Sequence, residues 1–156
     1  MLFRKILYHS KIGYLTILSD DHYIRKIKFG KQELPKDAVW AENHPLLQQA
    51  EQQLLEYFAG ERRSFSLPLQ ADGTDFQKSV WNALQQIPYG TVRTYGELAK
   101  QLERPKAARA IGRACHNNPI AIVIPCHRVV GANGNLTGFA GGLNIKQILL
   151  ELEQRN

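Results

Sequence analysis

The sequence predicts an α+β fold in two parts: a small antiparallel sheet with one helix, then a mainly helical unit containing a helix-turn-helix. Three observations predict it. Residues 2–8, 14–19 and 23–29 are short runs rich in Ile, Leu, Tyr and Phe, parted by Ser10-Lys11-Ile12-Gly13 and Asp20-Asp21-His22; runs and turns of this kind read as strands. Leu46, Ala50, Leu54 and Tyr57 then fall on one helical stripe, flanked by Leu47 and Leu55. Beyond Asp72-Gly73, Thr74 precedes Gln77 by three residues and Thr94 precedes Glu97 by three, the spacing of two capping boxes that open helices.

The remaining elements follow in chain order. Residues 30–43, polar and containing Pro35, read as a loop. The helix over 45–59 stops at Gly60, and residues 64–72 show no period. The domain boundary is therefore placed between 72 and 73, giving units 1–72 and 73–156. In the second unit a helix runs from 74 to about 86 and ends at Pro88-Tyr89-Gly90; a short one runs from 94 to about 102. Glu103-Arg104 makes a tight connection, and Pro105 sits where a first helical residue is tolerated, opening a helix over 105–116. Asn117-Asn118-Pro119 breaks that helix. The apolar run 120–125 is too short for a core helix and reads as a strand or buried extended segment. Residues 131–142 form a glycine-rich loop, and Asn144 caps a last helix with Ile145, Ile148, Leu149 and Leu152 on one face.

Composition narrows the function classes. The chain has 156 residues, 44% of them hydrophobic and 22% charged, which suits packed domains rather than disorder. No apolar run is long enough to span a bilayer, and Met1-Leu2-Phe3-Arg4-Lys5 lacks the apolar core of a signal peptide. The expectation is a soluble, unprocessed protein of the cytoplasm with no membrane partner. Its two cysteines, Cys115 and Cys126, are then free thiols in a reducing compartment. The net charge of +6 is uneven: residues 1–72 hold 10 Lys+Arg against 9 Asp+Glu, and residues 73–156 hold 10 against 5. Either a polyanionic partner or a solvated basic surface accounts for the second half.

At 100° per residue, Ala107, Ile111 and Ala114 of the 105–116 helix point one way, and Arg109, Arg113 and His116 the other, beside Gly112. A helix reading base edges is expected to offer Asn, Gln or several long donors. This face offers small residues and arginine, which suits close approach to a groove and phosphate contact, or simply an amphipathic helix with arginines in water.

The sharpest feature is Ile124-Pro125-Cys126-His127-Arg128-Val129-Val130. The imidazole and guanidinium beside the thiol favour thiolate, the nucleophilic form. Three chemistries compete for it. Metal binding by Cys115-His116 and Cys126-His127 has the wrong spacing for zinc, whose ligand pairs are two to five residues apart. A cysteine hydrolase takes its histidine from elsewhere in the chain, and nothing marks an ester or peptide site. The third chemistry is direct acceptance of an alkyl group.

Read with Asn118-Pro119 before it and Gly141-Gly142-Leu143 after it, Pro-Cys-His-Arg-Val resembles the O6-alkylguanine-DNA alkyltransferase family (methylated-DNA–protein-cysteine methyltransferases). The resemblance is dense over about 74–153, through Tyr95-Gly96-Glu97-Leu98-Ala99 and Ala107-Ala108-Arg109-Ala110-Ile111-Gly112. The first half resembles the family only in its strand-then-helix layout. The resemblance implies a ribonuclease H-like N-terminal domain followed by a winged helix-turn-helix domain, and a base flipped out of the duplex into a pocket.

It assigns roles by residue. Cys126 takes the alkyl group in a single-use reaction. Glu153 orients His127, which polarises Cys126 through a water. Tyr95 distorts the strand and donates a proton to the guanine ring. Arg109 fills the space left by the flipped base, with Ala108, Gly112 and Arg113 beside it on the DNA-binding face. Asn118 is the hinge between helix and active-site loop, and Val129, Phe139 and Ala140 line the substrate pocket, whose size also depends on Ala121 and Lys146. Arg128 is given a structural role and no catalytic step, and Cys115 is read as a packing residue. Phe139-Ala140 stands where a donor to the guanine oxygen is expected, so a backbone N–H would serve there. The N-terminal half has no cysteine to build the zinc site of some relatives, and no metal or cofactor is expected. The implied partner is double-stranded DNA carrying O6-alkylguanine, with O4-alkylthymine as a further substrate and a monomer as the working form. The rival function is that of relatives that bind the same lesions without the cysteine and act as sensors.

Overall fold

The computed structural model describes residues 1–32, 35–139 and 141–155. The described chain divides into two compact units, Met1–Asp72 with Pro119–Ala121, and Gly73–Asn118 with Ile122–Asn156.

In the first unit β1 (Phe3–His9), β2 (Gly13–Ser19) and β3 (Ile24–Phe29) form consecutive antiparallel pairs, and β4 (Val39–Trp40) lies parallel to β1, giving the order β3-β2-β1-β4. The three expected strands are antiparallel as read, and β4 adds a parallel partner that the sequence did not announce. β4 is two exposed residues inside the polar stretch read as a loop, too short to leave a period in the sequence. Gly13 takes φ 87° where β2 begins, a conformation open to glycine at no cost. β3 gains two further short partners. Ile24 pairs with the chain at Leu69, and Ile27 pairs with Ile120 through Ile27 N–H to Pro119 O and Ala121 N–H to Ile27 O, both 2.9 Å.

Helix α1 (Pro45–Phe58) starts with proline at its first position and His44 as N-cap. Leu46, Leu47, Ala50, Leu54 and Tyr57 are buried, while Leu55, expected to flank the stripe, is exposed. Gln53 on the same buried face is satisfied by Ser66: its Oε1 accepts from Ser66 N at 2.9 Å and its amide nitrogen donates to Ser66 O and Oγ.

The second unit contains α2 (Asp75–Gln85), β5 (Arg93–Thr94), α3 (Tyr95–Gln101), α4 (Ala108–His116), a 3₁₀ turn over Cys126–Arg128, β6 (Val129–Val130), a second 3₁₀ turn over Ala132–Gly134, and α5 (Leu143–Arg155). Both capping boxes form, from Thr74 with Gln77 and from Thr94 with Glu97. α2 and α4 are tied by Trp81, whose indole N–H donates to Ala114 O at 2.8 Å in the core. A Cβ at Gly73 would sit 2.5 Å from the same indole, so the residue before the α2 cap has to be glycine.

Three sequence expectations are corrected along this part of the chain, and one element was not foreseen. The helix placed over 105–116 begins at Ala108 instead, with Pro105 and Lys106 in a turn. A residue preceding proline is driven away from helical geometry, and Glu103 at φ 58° has already turned the chain. The run 120–125 is a buried turn rather than a strand, reversing at Ile122 with φ 71°. β5 and β6 pair in parallel, Arg93 with Val129 and Thr94 with Val130, an element too short to show a period. Finally, α5 begins at Leu143, so Asn144 lies inside the first turn; of the expected face of Ile145, Ile148, Leu149 and Leu152, Leu149 is fully buried, and the buried stripe continues through Lys146 and Glu153 rather than through the other three.

The Thr94 capping box sets the start of α3 and so the backbone position of Tyr95. Removing its hydroxyl with Thr94→Ala is expected to cost about 1 kcal/mol, while Thr94→Ser is expected to retain nearly all of it. Urea unfolding of the two variants measures the difference.

Candidate active site

The chain delivers Cys126 to the interior from an apolar turn. Ile122 and Ile124 are each 1% exposed, and the Cys126 N–H closes the turn on Ile124 O at 2.8 Å. Asn118 spans the same turn: its Nδ2 donates to Ile124 O at 2.8 Å and to Cys126 Sγ at 3.2 Å. One amide therefore holds both the shape of the turn and the position of the sulfur. A donor aimed at sulfur favours thiolate over thiol.

Beneath the turn lies a cluster of three buried charged or polar side chains. His127 is fully buried, and its Nε2 is 2.7 Å from Glu153 Oε2. Arg128 closes on the same carboxylate from the other side, Nε to Oε1 at 2.8 Å and Nη2 to Oε2 at 3.1 Å, while its Nη1 donates to Ile87 O at 2.7 Å. Gly90 N–H adds a weaker donor to Oε1 at 3.3 Å. Burial pushes the His127 pKa below its ordinary value, with Glu153 opposing the shift. Arg128 supplies the counter-charge the carboxylate needs, so the imidazole can stay neutral and donate Nε2–H to Glu153. That tautomer leaves Nδ1 as an acceptor. His127 Nδ1 is a buried atom with no hydrogen-bond partner among the described residues, so in that tautomer it is an acceptor open to a proton.

The second thiol is unsuited to the role. Burial, reinforced by the charge of Cys126, pushes the Cys115 pKa up to about 12, so Cys115 remains a protonated packing residue.

Tyr95, Ala108, Arg109, Gly112, Arg113, His116, Asn117, Thr137 and Gly138 line a surface groove with a cavity volume of about 690 Å³. Arg109, Arg113 and His116 are exposed along it, while Ile111 and Ala114 face the core. The α4 faces are thus as the helical wheel placed them. Gly112 faces the Tyr95 ring, which a Cβ there would meet in ordinary contact at 3.9 Å. Burial raises the Tyr95 pKa, so its phenol keeps its proton at neutral pH and can donate it.

The structure brings Cys126 together with Asn118, and His127 with Glu153. It gathers Tyr95, Ala108, Arg109, Gly112 and Arg113 on the groove. Val129 is fully buried in β6 and Phe139 is half-buried, and neither is among the groove-lining residues. Ala140 lies outside the described residues. Ala121, expected to set pocket size, belongs to the first unit. Sequence reasoning missed Thr137 and undervalued Arg128 and Lys146. Thr137 Oγ1 donates to Tyr95 Oη at 3.1 Å. Lys146 is fully buried and donates to Val129 O at 2.6 Å and Thr137 O at 3.0 Å. Spacing was a usable signal for Lys146, since 146, 149 and 153 fall on one helical stripe. Among the described residues no three His, Cys, Asp or Glu side chains are grouped so as to hold a metal ion, and no helix is long and apolar enough to cross a membrane.

Comparison with known proteins gives a consistent result. Residues 75–155 match the family model described as 6-O-methylguanine DNA methyltransferase, DNA binding domain, and residues 3–71 match 6-O-methylguanine DNA methyltransferase, ribonuclease-like domain. A methylated-DNA–protein-cysteine methyltransferase of Methanosarcina acetivorans is 51% identical over 149 residues, covering 94% of this chain and 96% of that protein. Its counterpart in Haemophilus influenzae is 45% identical over 150 residues, covering 94% and 84%. Among solved structures, Mycobacterium tuberculosis OGT in complex with DNA superposes with a TM-score of 0.89 at 44% identity, covering 99% of this chain and 92% of that one.

The cluster has a measurable energetic consequence. Glu153→Gln strips the Arg128 guanidinium, whose side chain is 8% exposed, of its charge partner. Breaking a buried pair from one side is expected to cost about 3 kcal/mol or more. Glu151→Gln on the exposed face of α5 is expected to change stability by less than about 0.5 kcal/mol. Urea denaturation of both variants provides the check.

Proposed function

The chain belongs to the 6-O-methylguanine DNA methyltransferase family, and from that premise we infer that Cys126 is the residue that accepts the alkyl group. The protein is a methyltransferase that binds DNA and repairs it by moving an alkyl group from guanine to one of its own cysteines. The observation that carries the assignment is Cys126 itself, 7% exposed, with its sulfur 3.2 Å from the Asn118 amide and next in the chain to the buried His127–Glu153 pair.

The reaction then runs as a displacement at saturated carbon. The Cys126 thiol gives its proton to His127 Nδ1 through a bridging water, and Glu153, held by Arg128, stabilises the imidazolium. Sulfur attacks the alkyl carbon on O6, the S–C bond forms and the C–O bond breaks, with its electron pair passing to guanine. Tyr95 donates its phenolic proton to a ring nitrogen of the departing base, so that a neutral guanine leaves. Arg109 occupies the space vacated by the flipped base, and Ala108, Gly112 and Arg113 let α4 approach the backbone. Thiolate is a poor leaving group from saturated carbon, so each chain reacts once. The substrate is double-stranded DNA containing O6-alkylguanine. The protein acts as a monomer in the cytoplasm.

Intact mass of the protein after incubation with duplex DNA containing O6-methylguanine tests this directly. Gain of one methyl group per chain is expected, and none with Cys126→Ser. A native chain that binds the lesion but stays unmodified would establish the sensor function instead. Arg109→Ala is expected to slow repair of duplex by about 10-fold or more, because the unpairing cost is then met without a replacement for the flipped base; equal rates on duplex would remove Arg109 from that role.

The pH dependence follows from His127. The step needs the imidazole neutral, and burial holds its pKa below the ordinary value of about 6.5. The transfer rate is therefore expected to persist as pH is lowered through about 6.5 and to fall only below it, when His127 protonates. Stability has the same sign. A folded-state pKa below the unfolded one favours the fold above about 6.5, and that contribution is lost as pH falls through the folded value. Quenched single-turnover rates and urea midpoints across this range measure both.

A further inference from the structure

Tyr95 is held at two ends by different parts of the second unit. At its backbone, the Thr94 cap fixes the first turn of α3, and Thr94 itself pairs with Val130 in the β5–β6 ladder. At its hydroxyl, Thr137 Oγ1 donates at 3.1 Å. Thr137 is in turn anchored through its carbonyl, which accepts from Lys146 Nζ at 3.0 Å, and the same ammonium reaches Val129 O in β6 at 2.6 Å. The connections close a ring: Tyr95, Thr137, Lys146, Val129 and the adjoining Val130, then across the ladder to Thr94 and back to Tyr95. Lys146 is fully buried, so its donors have little alternative to these carbonyls.

Either hydroxyl of the Thr137–Tyr95 pair can donate, and the arrangement in which Thr137 donates is the one that carries the chemistry. A phenol has one proton to give and an oxygen that accepts. With the Thr137 proton on that oxygen, the phenolic proton of Tyr95 is not spent on Thr137 and is left for the groove both residues line. A donor to the oxygen also stabilises phenolate relative to phenol. Thr137 thus counteracts the burial that makes Tyr95 a weaker acid.

We propose that Thr137 is a positioning residue of the transfer reaction: its hydroxyl aims the Tyr95 proton into the groove and steadies the phenolate as that proton leaves. The inference rests on the role given above to Tyr95. In the step, the Tyr95 O–H bond breaks, the proton goes to the ring nitrogen of the departing guanine, and the electron pair stays on the phenolic oxygen under the Thr137 hydrogen bond. Solvent returns the proton after the repaired base has left.

Thr137→Val keeps the shape and branching of the side chain and removes the hydroxyl, while Thr137→Ser keeps the hydroxyl. Three readouts separate positioning from a structural role: the maximal single-turnover rate on O6-methylguanine duplex, the Kd for that duplex, and the titration of Tyr95 followed by NMR of ring-labelled tyrosine without DNA, assigned with Tyr95→Phe. Thr137→Val is expected to lower the maximal rate by about 10-fold, a part of the roughly 100-fold or more that a general acid contributes, with Kd little changed and the Tyr95 midpoint moved upward. Thr137→Ser is expected to restore rate and midpoint, and Thr137→Val is expected to add nothing in a Tyr95→Phe background. A native rate and midpoint in Thr137→Val would overturn the proposal, as would an undiminished slowing in the Tyr95→Phe background. Should the native chain transfer no methyl group, the assigned function would fail separately. The titration would still decide the Thr137 contact, an unmoved midpoint refuting it.

Discussion

Glu153 is a carboxylate 3% exposed on a terminal helix, and the second unit is arranged around making that burial tolerable. An isolated buried carboxylate would neutralise itself or unfold its surroundings. Here it accepts two bonds from Arg128, one from His127 and a longer one from Gly90. Those partners come from the 3₁₀ turn that starts at Cys126 and from the chain after α2. Satisfying one charge thereby fixes α5, the cysteine turn and residue 90 against each other. The cost of burial is the reason for precision: with water excluded, the carboxylate has few other partners, and His127 is held in the tautomer whose free nitrogen can take a proton.

The same logic explains the neutral histidine. A lone Glu153 beside His127 would favour imidazolium, and a charged His127 could not act as a base. Arg128 is always protonated and bidentate, and it occupies the carboxylate's charge. Desolvation then outweighs the pull of Glu153, and the His127 pKa falls. Arg128 was given no chemical step from sequence, and it still takes none directly. Its effect is electrostatic, setting which of its neighbours holds the proton.

What the sequence made legible were features with a local signature. The capping boxes at Thr74 and Thr94 and the two faces of α4 follow from spacing or residue type, while Glu153 beside His127 and Asn118 before the cysteine turn were supplied by the family resemblance. What it concealed were features decided by tertiary pairing. β4, β5 and β6 are two residues each, and a period cannot be read from two residues. Pro105 obeys the rule for a first helical position, yet the left-handed Glu103 and the turn over Pro105-Lys106 delay the helix to Ala108. The run 120–125 was ambiguous in kind, since an apolar segment of that length reports burial without conformation. Lys146 was hidden by its charge, because lysine is ordinarily a surface residue and only its carbonyl partners make the buried position acceptable.

Ile122 shows how these constraints meet at the sulfur. A β-branched residue at φ 71° is strained, by roughly 1–2 kcal/mol, and glycine would adopt this turn freely. Isoleucine is nevertheless placed there, 1% exposed, so its apolar burial offsets the backbone strain, and the bulk that creates the strain also seals the turn from water. The reversal lets three residues, 119–121, pair with β3 of the first unit and then returns the chain so that Cys126 meets the Asn118 amide. A flexible glycine there would leave the sulfur's position to fluctuate. For a protein whose acceptor reacts once, placement must be built in before the encounter, because there is no later turnover over which a poor geometry averages out.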